Sequence, residues 1–145
     1  PFFIENKPVF ASQKGDTFKT CKVDLTNYHI ILVKPNIHIS TPEAYSLIKP
    51  QKATFSLNKI QNLNINEWKE HVNNDFEKVI LKKYPEIKKI KTRLYEMGAL
   101  YASMSGSGSC VYGIFDKNIP IPNIFNSYFT WQGSLNQYKS SNKIL

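Results

Sequence analysis

Cysteine is scarce in this sequence. Two stand in 145 residues, Cys21 and Cys110, far apart and without a CxxC spacing, so neither a thiolate metal site nor a dithiol redox pair is expected. Both lie in apolar, strand-like stretches and read as buried free thiols, which fits a reducing cytoplasm. Long apolar runs are missing too. None approaches the roughly 18 residues that cross a bilayer as a helix, and no membrane partner is expected. The opening Pro1-Phe2-Phe3-Ile4-Glu5 has neither the basic region nor the cleavage site of a secretory leader. It starts on proline rather than methionine and reads as a piece of a longer chain. Two common phosphate-binding signatures, the eight-residue loop closing on Lys-Ser/Thr and GxGxxG, are absent. There is no internal repeat and no linker, so one domain is expected.

What is present suits a folded domain. The composition is 41% hydrophobic and 13% aromatic, enough to bury a core and unlike a disordered chain. The net charge of +8 invites a nucleic-acid partner. The lysines, however, are not interleaved with aromatics in an RNA-binding pattern, and no nucleic acid is expected. Lys82, Lys83, Lys88, Lys89, Lys91 and Arg93 gather where a helix would turn them toward water, as a solvated face. A second use for them is attraction of an acidic substrate such as a nucleotide diphosphate.

Residues 8–20 read as two strands about a turn at Lys14-Gly15-Asp16, and Tyr28 to Lys34 as a buried strand stopped by Pro35 and Asn36. Ser40-Thr41-Pro42-Glu43 is a helix start, with a hydroxyl cap, a proline in the first turn and a glutamate three residues after Ser40. Pro50 ends or follows that helix. The middle is helical: one segment starts over Asn66–His71, and Phe76, Val79, Ile80 and Tyr84 line the next. Pro85 opens a third with Ile87, Ile90, Leu94 and Met97 at spacings of three and four, and Gly98 suits its C′ position. Strands are expected at 99–104, 110–115 and 128–131, with 119–127 a short helix or loop. Residues 137–145 read as a disordered tail to a domain spanning 1–136. The whole reads as α+β.

Two segments carry functional information. Ser105-Gly106-Ser107-Gly108-Ser109 joins two apolar strands. Its glycines allow positive φ and let amide groups converge on an anion, with serine hydroxyls as further donors; an ordinary hairpin loop is the alternative. In Lys34–Tyr45 a strand delivers the chain to a helix N-terminus, where a polar ligand meets free amides. There Thr41 is either a cap or a ligand contact, and Tyr45 either core or an exposed ring.

Taken together, these segments resemble a known family. Ala99–Ser109 is similar to the third conserved motif of the GHMP kinases, the Gly-rich loop of their second domain. Leu32-Val33-Lys34-Pro35 followed by Ser40-Thr41-Pro42-Glu43-Ala44-Tyr45 resembles the branch that acts on a cytidine-diphosphate-linked sugar alcohol in non-mevalonate isoprenoid synthesis. Pro1-Phe2-Phe3 with Lys7-Pro8-Val9-Phe10-Ala11 is similar to the stretch just after the family's Gly-Ser/Ala-Asp segment. The resemblance runs from Pro1 to about Leu135. It implies a ferredoxin-like antiparallel sheet packed against helices, Tyr45 stacked on the cytosine with Thr41 beside it, and the 105–109 loop supporting the phosphate site. It further implies that the ATP loop, Mg2+ and the catalytic Lys and Asp belong to an amino-terminal domain. On that view the catalytic Asp lies just upstream of Pro1, no catalytic or metal-binding residue falls in this chain, and the chain alone is inactive. The family usually has Gly where Gln13 stands, so that turn is expected to differ in shape. Two alternatives remain: another GHMP kinase such as mevalonate or homoserine kinase, against which Thr41-Pro42 with Tyr45 argues, and a stand-alone α+β module binding RNA in a salt-dependent way.

Overall fold

Four strands make the central sheet of the computed structural model, which describes residues 8–49, 51 and 53–135. Ahead of the sheet, β1 (Val9–Ser12) and β2 (Thr17–Thr20) form a separate antiparallel hairpin. Its turn places Gln13 at φ 57° and Gly15 at φ 80°. Gln13 thus takes the left-handed backbone that a glycine would adopt freely. The sheet itself contains β3 (His29–Lys34), β4 (Tyr101–Met104), β5 (Val111–Phe115) and β6 (Phe129–Ser134). Their order is β4-β5-β3-β6 and every neighbouring pair is antiparallel. Numbered within the sheet, this is 2-3-1-4, the ferredoxin-like order. The helical layer belongs almost wholly to the β3–β4 connection; β5 and β6 are joined by no more than a single 3₁₀ turn at Asn123–Phe125.

That connection contains α1 (Thr41–Leu47), a 3₁₀ stretch at Leu57–Asn62 and another at Ile65–Glu67. Beyond them lie α2 (Trp68–His71), α3 (Glu77–Lys83) and α4 (Pro85–Glu96). The strand period of two divides the sheet's side chains between two cores. Ile31, Val33, Ala102, Met104, Val111 and Phe115 form one face and pack with Ile80 of α3 and with Ile87, Ile90 and Leu94 of α4. The spacing of three and four in α4 keeps those three residues on one stripe, and its lysines fall elsewhere. Tyr101 and Ile114 turn to the other face, where Ile65 and Trp68 cover them. Each fully buried aliphatic or aromatic side chain contributes roughly 1.5–3 kcal/mol, so the larger face supplies most of the stability. The Trp68 indole N–H is the one buried side-chain polar atom without a partner among the described residues.

Several expectations need correction. Trp68–His71 is a single helical turn preceded by a 3₁₀ turn, because Asn64 and Glu67 close a capping box there and the chain leaves the helix at Val72. The final strand runs on to Ser134, its backbone pairing with β3 through Gly133 and Ser134. Both cysteines are free but half-buried rather than buried. Lys91 does not face water; it turns inward to Glu77. Pro50 and the expected 137–145 tail lie outside the described residues. No helix among those residues is long and apolar enough to cross a membrane.

Candidate functional site

The Gly-rich loop and the β3–α1 connection, singled out separately in the sequence, adjoin in space. A cavity of about 380 Å3 lies between them, lined by Lys34, Asn36, His38 and Ile39 from one side and by Gly108 and Ser109 from the other. The Ser109 hydroxyl donates to the Ile37 carbonyl at 2.5 Å and ties the two segments together. This removes Ser109 from the set of free donors. The Ser105 and Ser107 hydroxyls, in contrast, have no protein partner among the described residues.

Within the loop, Gly106 has φ 55° and Gly108 φ 95°, both in the left-handed region where a side chain is strained. The hairpin is closed by the Ser105 amide on the Cys110 carbonyl (2.8 Å) and by the Gly108 amide on the Ser105 carbonyl (3.0 Å). The Gly106 and Ser107 amides make no such bond and remain at the loop's tip. Burial beside the loop raises the pKa of the Cys110 thiol above its ordinary value.

The loop's other support is the start of α3. The Ser105 amide pairs inward across the hairpin, so the alternation of an antiparallel ladder turns the N–H and C=O of Met104 outward, toward the free edge of β4. Side chains take the place of a neighbouring strand there. Glu77 Oε1 accepts the Met104 amide at 2.7 Å and the Ser103 hydroxyl at 3.3 Å. Its Oε2 accepts from the ammonium of Lys91. Asn74 Nδ2 donates to the carbonyls of Met104 (2.7 Å) and Gly106 (2.8 Å), while Asn74 Oδ1 accepts the Phe76 amide at 2.9 Å. Neither Asn74 nor Glu77 was evident from sequence alone as part of the site. Asn at one position and Glu three later, before an apolar helix, is a cap signature that marks the place but not the use.

The start of α1 is built differently. Ser40 is its cap, its Oγ accepting the Glu43 amide at 3.2 Å, and Pro42 occupies the first turn. Capping therefore leaves Thr41 exposed, with a hydroxyl that has no partner among the described residues. Tyr45 is 63% exposed, its ring meeting Phe76 edge-on at 5.1 Å; it is not a core residue. The Glu43 carboxylate accepts from Lys83 Nζ (2.8 Å) and Tyr84 Oη (2.5 Å), anchoring α1 to the end of α3. These bonds, Lys83 first, lower the Glu43 pKa below its ordinary value, and Glu43 in turn raises those of Lys83 and Tyr84.

Comparison with known proteins agrees with this architecture. Residues 57–128 match the family model described as GHMP kinases C terminal, and the chain belongs to the GHMP kinases as a carboxy-terminal domain of that family. Within it, the chain is 47% identical over 137 residues to the 4-diphosphocytidyl-2-C-methyl-D-erythritol kinase of Parabacteroides distasonis, covering 93% of this chain and 51% of that protein. The kinase of the same name from Bacteroides fragilis is 44% identical, with 92% and 49% covered. The chain thus spans about half the length of these relatives. Among solved structures, a 4-(cytidine 5'-diphospho)-2C-methyl-D-erythritol kinase superposes with a TM-score of 0.63 at 22% identity, covering 78% of this chain and 42% of that one. A homoserine kinase from Cytophaga hutchinsonii gives 0.62 at 15% identity, with 89% and 48% covered. At such identities these two report the fold alone.

Proposed function

We propose that this chain is the substrate-binding half of an ATP-dependent kinase that phosphorylates a hydroxyl of 4-diphosphocytidyl-2-C-methyl-D-erythritol, working in a reducing cytoplasm on the path to isoprenoids. The observation that carries the reading is a capped helix start with an exposed Thr41 and an exposed Tyr45 ring, entered from a segment that shares a cavity with Gly108 and Ser109 of a Gly-rich loop whose Gly106 and Ser107 amides are free. An exposed aromatic ring suits a pyrimidine, whose stacking contributes roughly 1–3 kcal/mol per base. The free Gly106 and Ser107 amides suit the negative charge of a phosphate-bearing partner. Phosphoryl transfer depends on positioning and charge stabilisation more than on covalent help, and this half supplies positioning.

The rest of the chemistry belongs to the amino-terminal half of the kinase. Among the described residues no group of three or more His, Cys, Asp and Glu side chains is gathered to hold a metal ion. ATP supplies the transferred phosphoryl group, and this domain's part toward it is the loop's shape.

The test uses the full-length protein and ADP release. Turnover with the cytidine-diphosphate-linked sugar alcohol, and none with homoserine or mevalonate, is the expected result. The 145-residue chain alone should release no ADP. Preference for homoserine or mevalonate would move the protein to another branch of the family. Salt-dependent RNA binding without cytidine-nucleotide preference would replace the kinase reading altogether.

A further inference from the structure

We propose that Asn74 is a positioning residue for phosphoryl transfer, aiming the Ser107 amide by holding the Gly106 carbonyl. The proposal rests on the kinase function above and on the planarity of the peptide unit. In a trans peptide the C=O of one residue and the N–H of the next point in opposite directions within one plane. Fixing one therefore fixes the other. Asn74 Nδ2 holds the Met104 carbonyl at 2.7 Å, and the Ser105 amide, on the far side of that same peptide, points at the Cys110 carbonyl at 2.8 Å. The second bond of Asn74, to the Gly106 carbonyl at 2.8 Å, acts on the next peptide but one. There the opposing Ser107 amide has no protein acceptor among the described residues and is left for a ligand.

This peptide needs such a restraint. Gly106 has φ 55° and nothing within 4 Å of where a Cβ would lie, so neither a side chain nor packing fixes its orientation. Asn74 is itself fixed by the Phe76 amide on its Oδ1 (2.9 Å). The side chain therefore serves the helix with its oxygen and the loop with its nitrogen. The chemical partner is the phosphate-bearing part of a nucleotide, which accepts hydrogen bonds from backbone amides.

The two uses can be separated in the full-length kinase. Asn74→Asp keeps an oxygen for the Phe76 amide and loses the donor; Asn74→Ser keeps a short, uncharged cap and loses the reach. Both are expected to lower kcat on the order of 10- to 100-fold. The KM for the cytidine-linked substrate should stay within about twofold and the melting temperature nearly unchanged. Normal kcat in both variants would overturn the proposal while leaving the kinase function standing, as would a rate loss that tracks the loss of folded protein. A wild-type protein without kinase activity would sink the function instead. The clamp would then be read from the Ser107 amide resonance, which shifts in both variants if Asn74 holds that peptide and stays put if it does not.

Discussion

The Gly-rich loop adjoins the connection that leads into α1, yet the loop and the start of α1 are held in opposite ways. The loop offers backbone amides, and its shape depends on side chains: Asn74, just before α3, and Glu77, its first residue, grip it, Lys91 backs Glu77, and the loop's own Ser109 ties it to Ile37. The start of α1 offers side chains, Thr41 and Tyr45, on a helix stabilised by its own cap and one exposed ionic tie. Loss of the buried Glu77 carboxylate should propagate into the fold, whereas the exposed side chains of α1 can be removed one at a time.

The largest expected effect tests the first half of that contrast. Glu77→Ala would leave the Lys91 ammonium and the Met104 amide without their shared acceptor at a position only 8% exposed. Removing one partner of a buried ion pair costs on the order of 3–5 kcal/mol, to be read from chemical unfolding of the full-length protein. A loss below about 1 kcal/mol would mean that water replaces the carboxylate and that the loop is less dependent on α3 than its bonds imply.

The two loop glycines sharpen the same point because they are not equivalent. A Cβ on Gly106 meets nothing within 4 Å, whereas one on Gly108 would lie 2.8 Å from Met104 Sδ and 3.2 Å from Ile39 Cδ1, both side chains in the core. Gly106→Val should therefore strain the backbone by roughly 1–3 kcal/mol and reduce turnover on the order of 100-fold through misplacement of the loop. Gly108→Val should lose stability as well as rate. Equal melting temperatures for the two variants would contradict the packing difference.

Tyr45→Ala probes the other region. With the ring 63% exposed, its loss should leave the melting temperature almost unchanged and weaken binding of the cytidine-linked substrate by about 1–3 kcal/mol. ATP affinity should not move. If stability falls while substrate affinity holds, the contact with Phe76 matters more than the exposed face.

The smallest effect is electrostatic. The folded-state pKa of Glu43 lies below its ordinary value of 4.5, so its tie to Lys83 and Tyr84 contributes stability above that value and loses it as pH falls through the depressed one. Melting curves of the wild type and Glu43→Gln should differ slightly at neutral pH and converge in acid. A difference that persists at low pH would assign the effect to packing.

The sequence by itself determined most of the elements. Spacings of three and four in α4, the Ser40 cap with Pro42, the apolar run of β3 and the paired glycines at 106 and 108 are local signals, because each reflects hydrogen bonding or backbone freedom within a few residues. Such signals also carried the resemblance to the GHMP kinases and the choice of Thr41, Tyr45 and the loop. Tertiary structure alone decided how these pieces are fastened. Lys91 belongs by its surroundings in sequence to a solvated basic face, and only the edge of β4, brought against α3 by burial of the apolar sheet face, supplies the reason to turn it inward. Asn74 and Glu77 have the spacing of an ordinary helix cap. Their acceptors and donors at Ser103, Met104 and Gly106 are about thirty residues away in the chain, and an unpaired strand edge exists only once the sheet has formed. Local propensity cannot encode a partner that distance supplies, which is why Thr41, Tyr45 and the loop stood out in the sequence and the residues that hold the loop did not.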